Sequence, residues 1–168
     1  DQQADLRRDI ATLFEQAGRR CTIEETAPDK DPCTLARQFV ANGADTVVAA
    51  GGDGTINAVA TALAGGPARL GILPLGTFNF VARRFGISAT IKEAVETIVS
   101  GEDRQLAVGL VNDAVFLNNA SLGIYASILA EREKLYRRWG RSRLVAGLSV
   151  GKALLRPPEP LGLSLHKH

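Results

Sequence analysis

Apolar residues fall at two alternating periods through the first half of the chain. Leu6, Ile10, Leu13, Phe14 and Ala17 recur at helical spacing and predict a helix over residues 4–18, with Gly18 as its stop. Residues 21–26 alternate like a strand. Pro28, Asp31 and Pro32 then punctuate the chain, and Pro32 suits the first position of a helix that the Asn42-Gly43 pair closes. Val47, Val48, Ala49 and Ala50 form a short apolar run of the kind found in strands buried on both faces. Residues 56–63 predict a helix of small residues that can lie close on a sheet. Residues 70–73 predict the next strand, and residues 82–85 and 90–99 two further helices. This β-then-α alternation predicts an α/β fold: a three-layer α/β/α domain around a mostly parallel sheet. In such sheets ligands bind beyond the carboxyl ends of the strands.

The pattern changes after Gly101. Residues 105–111 and 114–119 read as two strands joined by a tight turn at Asn112-Asp113, an antiparallel hairpin. Residues 124–139 and 143–155 look helical, Pro157, Pro158 and Pro160 break the chain, and residues 161–166 alternate once more. The expected organisation is a nucleotide-binding α/β domain over residues 1–102, lacking its first strand. The beginning of a β-rich, sandwich-like second domain follows over residues 103–168.

Composition narrows the picture only slightly. A hydrophobic content of 45 % across 168 residues is enough for a real core, and a net charge of +2 gives no electrostatic case for nucleic acid. Cys21 and Cys33 match no metal spacing and read as reduced cysteines of a cytoplasmic protein. No apolar run is long enough for a membrane span, and no signal peptide is evident. The chain contains no methionine and opens inside a helical pattern, so the expectation is a fragment.

The candidate chemistry sits where the buried strand ends. Gly51, Gly52 and Gly54 put three glycines in four positions, where backbone N–H groups can approach a ligand with no Cβ in the way. The helix start that follows adds unpaired N–H groups and a partial positive charge, which together suit a polyphosphate. The loop has neither the Gly-Lys-Ser/Thr ending of a P-loop nor GxGxxG spacing. Asp53 in its middle would repel a phosphate unless a cation or a proton-transfer task keeps it there. A second loop, Pro74 to Asn79, follows the next strand and is expected to face the same site.

GGDGTIN at 51–57, GILPLGTFNFVARRFGI at 71–87 and FLNNASLGIY at 116–125, in that order, resemble the diacylglycerol kinase catalytic-domain family, which includes bacterial lipid kinases and sphingosine kinases. NAD kinases and phosphofructokinases are more distant members of the same superfamily. The Pro-Leu-Gly-Thr-x-Asn segment and the later Asn-x-x-Ser-x-Gly favour the lipid-kinase branch. The resemblance implies an ATP- and Mg²⁺-dependent lipid kinase that phosphorylates the hydroxyl of a diacylglycerol-like lipid. It implies nucleotide contacts from Gly51, Gly52, Asp53, Gly54, Thr55, Ile56 and Asn57, and from Gly76, Thr77 and Asn79. Thr26 is implied as a further nucleotide contact, and Asp53 as the catalytic residue that orients or shares Mg²⁺. The family's catalytic acidic residue belongs to a segment beyond residue 168. Ala58, Phe80 and Ala107 stand where many members carry carboxylates.

Two alternatives stay open: a nucleotide-binding regulatory domain without turnover, and a soluble-substrate kinase of the NAD-kinase type. The expected partner is a lipid at a membrane surface, with a homodimer left open and peripheral membrane contact added to a cytoplasmic location. Residues 131–143 carry six basic and two acidic residues with Tyr136 and Trp139. They suit either a membrane-facing helix or a solvated one whose aromatics pack inward. Asn118, Asn119 and Ser121 could line a cleft or satisfy a strand end.

Overall fold

The computed structural model describes residues 2–118. The predicted alternation is present. Helix α1 (Gln2–Gln16) and helix α2 (Pro32–Ala41) precede strand β1 (Thr46–Gly51), helix α3 (Asp53–Leu63) and strand β2 (Arg69–Pro74). Helices α4 (Phe80–Arg84) and α5 (Ile91–Ser100) follow, then the short strands β3 (Gly109–Val111) and β4 (Ala114–Phe116). β1 and β2 pair in parallel, with Ala49 opposite Ile72 and Gly51 opposite Pro74.

The period of two along β1 divides the core between the two faces of the sheet. Val47 and Ala49 point with Ile72 into one cluster, completed by Ala36 of α2 and by Ile56, Val59, Ala60 and Leu63 of α3. Val48 and Leu73 turn the other way, onto Ile10 and Phe14 of α1 and Ala94 and Val95 of α5. Helices cover both faces, so the described residues form the three-layer α/β/α arrangement. Gly71 lets α5 come close: a Cβ there would lie 3.0 Å from Val48 Cγ2 and 3.3 Å from Ile98 Cδ1.

The boundaries of α2 follow from its end groups. Pro32 occupies its first turn and the Asp31 carboxylate accepts from Thr34 N at 2.9 Å, satisfying one of the donors a helix start leaves over. Gly43, at φ +89°, releases the chain toward β1.

Three local expectations need correction. Residues 21–26 are not a strand. Arg7 of α1 donates to the Ile23 carbonyl at 3.1 Å and pairs with Glu25 at 3.7 Å, which holds this segment out on the helix. A cleft of about 680 Å³ is lined by this segment on one side and by β1 residues on another. Helix α3 begins at Asp53 rather than near Ile56, which draws Gly54 and Thr55 into its first turn. The hairpin strands are shorter than the apolar pattern suggested. Asn112 turns the chain at φ +53°, and only Val111–Ala114, Leu110–Val115 and Gly109–Phe116 pair. Leu106 and Val108, upstream of the ladder, are exposed.

The hairpin packs on α3. Val115 and Leu117 join the cluster that contains Ile56 and Val59. Val115 N donates to Thr61 Oγ1 at 3.0 Å and Leu117 N to Asn57 Oδ1 at 3.2 Å.

Candidate functional site

Both glycine loops lie at the carboxyl ends of the parallel strands, β1 leading into one and β2 into the other. They touch directly. A Cβ on Gly76 would sit 2.5 Å from Gly52 Cα and 3.2 Å from Gly52 N, so only glycine permits the approach. Leu75 N donates to the Gly51 carbonyl at 3.1 Å and extends the β1–β2 ladder into the loops.

Asp53 ties the loops together. Its Oδ1 accepts from Val81 N at 2.9 Å and its Oδ2 from Phe80 N at 3.1 Å. These are the first amides of α4, so a carboxylate from the first loop caps the helix that follows the second. The residue next to α4 in sequence does not fill this role. Asn79, in the left-handed region at φ +50°, makes no side-chain cap and turns back into its own loop. There its Nδ2 donates to the Gly76 carbonyl at 2.8 Å and the Pro74 carbonyl at 3.3 Å. Asn79 Oδ1 is buried with no hydrogen-bond partner among the described residues.

The first turn of α3 leaves backbone donors without partners inside the helix. Ile56 N makes the first intrahelical bond, to the Gly52 carbonyl at 3.1 Å, leaving the amides of Asp53, Gly54 and Thr55 without helical acceptors. Gly52 precedes the helix in extended conformation and offers no side chain. A Cβ on Gly54 would meet nothing within 4 Å, so the helix start is open on that side. The Thr55 side chain lies over Gly51, its Oγ1 2.8 Å from where a Cβ of Gly51 would stand.

The remaining candidates separate. Thr77 is exposed on the second loop. Thr26 lies on the detached 21–26 segment and lines the cleft beside β1, which Ala50 and Thr55 also line. Ile56 is fully buried in the core and contributes packing. Asn57 holds the hairpin through Leu117 N. Thr61, which no sequence motif singles out, accepts from Val115 N and donates to the Asn57 carbonyl at 2.8 Å. Arg84 Nη1 reaches the Leu117 carbonyl at 3.1 Å, so Leu117 is gripped at both its N–H and its C=O. Asn118 is exposed, whereas Asn119, Ser121 and the basic stretch 131–143 lie outside the described residues.

Asp53 is the one acidic residue within the two loops, 51–57 and 74–79. Among the described residues no cluster of three histidine, cysteine or acidic side chains could enclose a metal. Asp53 suits an ion that keeps most of its waters and takes one carboxylate plus phosphate oxygens, as Mg²⁺ does, through the lone pairs its two N–H bonds leave over.

The family model for the diacylglycerol kinase catalytic domain matches residues 1–111, which contain both loops. The chain belongs to this family. It also aligns with bacterial relatives. It is 39 % identical over 117 residues to a diacylglycerol kinase of Bacillus subtilis (strain 168), covering 68 % of this chain and 39 % of that protein. It is 36 % identical over 138 residues to a probable lipid kinase, YegS-like, of Pseudomonas aeruginosa (strain UCBPP-PA14), covering 80 % of this chain and 45 % of the relative. A probable YegS-like lipid kinase of Klebsiella pneumoniae (strain 342) is 36 % identical over 146 residues, covering 84 % of this chain and 49 % of its own length. The chain therefore spans about half or less of these relatives. Among the described residues, no helix is long and apolar enough to cross a membrane.

Proposed function

We propose that the complete protein is a lipid kinase that transfers the γ-phosphoryl group of ATP to the hydroxyl of a diacylglycerol-like lipid. One observation carries this reading: the two glycine loops meet at Gly52 and Gly76 and are fixed in register by Asp53. The family and the names of its relatives supply the lipid.

In this proposal the nucleotide phosphates lie against the amides of Gly52, Asp53, Gly54 and Thr55, with the Thr55 and Thr77 hydroxyls as further donors. Gly51, Gly76 and Asn79 shape the backbone around them, and Ile56 and Asn57 hold the helix from behind. Thr26 approaches the nucleotide from the cleft side. Asp53 has two jobs. It holds the second loop against the first, and its remaining lone pairs would be the ones to hold Mg²⁺. The ion, when bound, neutralises charge on the transferring group. The lipid oxygen bonds to the γ-phosphorus as the bond to the β–γ bridging oxygen breaks, releasing ADP. The hydroxyl proton needs a base. Asp53 is already accepting two N–H bonds, so the base is assigned to another part of the complete protein.

A second reading, nucleotide binding without turnover, draws support from the absence, among the described residues, of any cluster of three histidine, cysteine or acidic side chains that could enclose a metal. Incubation of the complete protein with γ-labelled ATP, Mg²⁺ and dispersed lipid alcohols separates the two. Labelled phospholipid is expected. Nucleotide binding without label in any lipid would favour the non-catalytic reading.

A further inference from the structure

The second loop carries a feature that phosphate binding does not use. Phe78 and Phe80 are 66 % and 50 % exposed, and their rings stack on each other, with centroids 5.5 Å apart and planes 8° from parallel. Leu75 and Phe85, on the same loop–helix segment, are also exposed. Large aromatic side chains normally supply core or interface contacts, and several exposed together mark an interaction surface.

The charge around them selects the partner. Residues 75–86 contain Arg83 and Arg84 and no acidic residue of their own, and the Asp53 carboxylate that reaches them is engaged by the Phe80 and Val81 amides. Arg84, also exposed, lies over the Phe85 ring and donates to the Leu117 carbonyl. Arg83 is exposed and forms no ion pair among the described residues. Aromatic rings at a loop tip with an unpaired arginine one helical turn behind match the layering of an anionic bilayer, where rings enter the acyl boundary and the cation meets headgroup phosphates. The position fits as well. Phe78 lies between Thr77 and Asn79, so a membrane seated on the rings brings lipid hydroxyls to the loop proposed to face the transferring phosphate.

We infer that Leu75, Phe78 and Phe80, backed by Arg83, form a membrane-docking wedge that sets the second glycine loop onto an anionic lipid surface. The inference rests on the lipid-kinase reading for its choice of partner.

The test is sedimentation of the complete protein with vesicles of equimolar phosphatidylglycerol and phosphatidylcholine. It is paired with turnover on a short-chain diacylglycerol kept below its aggregation limit. Phe78→Ser is expected to weaken vesicle binding about tenfold, the worth of one buried aromatic side chain, while turnover of the monomeric lipid holds. Arg83→Gln should weaken binding several-fold, and the loss should shrink as salt rises. Phe78→Trp should retain binding, and the indole emission it adds over the wild type should be quenched by brominated acyl chains. Vesicle binding unchanged in Phe78→Ser overturns the inference. So does an indole emission from Phe78→Trp that is already blue-shifted without vesicles and unquenched by them, which would mean that protein covers the wedge. If the Phe78→Ser variant loses vesicle binding but the wild type phosphorylates no lipid, the docking surface stands and the kinase reading falls.

Discussion

Asp53 accepts a hydrogen bond from Val81 N at 2.9 Å across 28 residues of sequence, and with its other oxygen takes Phe80 N. The aspartate in the middle of the glycine loop therefore has a structural task before any ligand arrives. It caps a five-residue helix that is too short to hold its own start.

Asp53→Ala should destabilise the protein by roughly 1–2 kcal/mol, the usual range for a lost N-cap with two amides left over. Asp53→Asn keeps one acceptor oxygen and should recover part of that loss. Chemical denaturation of the three proteins checks the order wild type, Asn, Ala. Equal stability in all three would show that water replaces the carboxylate without cost.

Gly76 is the tightest point between the loops. Gly76→Ala forces a Cβ to within 2.5 Å of Gly52 Cα, where only backbone can give way. The expected cost is about 1–3 kcal/mol, as for other overpacked sites, together with loss of nucleotide affinity. Gly54→Ala, whose added carbon meets nothing within 4 Å, should leave stability nearly unchanged and act, if at all, on the ligand. Denaturation and nucleotide titration of both variants make the comparison. A Gly76→Ala protein as stable as wild type would contradict the close approach.

Thr61 links the hairpin to α3 by accepting from Val115 N and donating to the Asn57 carbonyl. Thr61→Val keeps the volume but strands the Val115 amide, at a cost of about 1–2 kcal/mol. Amide exchange should accelerate at Val115 more than at core positions of β1. Uniform acceleration across both would point to global destabilisation instead.

Cys21 is exposed at the edge of the cleft, and the desolvation its neighbours impose, followed by the nearby Glu15 carboxylate, pushes its thiol above the ordinary cysteine range. A raised thiol pKa means less thiolate at any given pH, so alkylation of Cys21 in the folded protein should lag that of the urea-unfolded chain near neutrality. The folded state holds this proton more tightly. Its contribution to stability is therefore present below the unfolded pKa and lost as pH rises through the folded one. Mass-spectrometric labelling across that range follows it, and a folded rate matching the unfolded one would remove the effect.

The sheet and its helices were legible because their causes are local. Val47–Ala50 and residues 70–73 are apolar runs bounded by glycine and proline, and α2 announces both ends with Asp31-Pro32 and Asn42-Gly43. Residues 21–26 misled because alternation describes a strand without saying whether a partner lies within reach. Arg7 instead holds that segment on α1. The three glycines marked the first loop. The capping role of Asp53 was invisible, because its partners are backbone amides, which every residue but proline carries, 27 and 28 positions away. Thr61 escaped for the same reason. Phe80 drew notice only as a departure from the family pattern, whereas its amide bonds Asp53 and its ring is half exposed beside Phe78.

Calorimetric titration of the complete protein with ATP, with and without Mg²⁺, tests the paired-loop site most directly when wild type is set beside Asp53→Ala. The expected result is saturable, Mg²⁺-dependent binding to the wild type, weakened at least about tenfold in the variant while circular dichroism shows both folded; tenfold corresponds to about 1.4 kcal/mol of binding free energy. No binding by folded wild type, or equal binding by both proteins, would contradict a nucleotide site built from these two loops and held by Asp53.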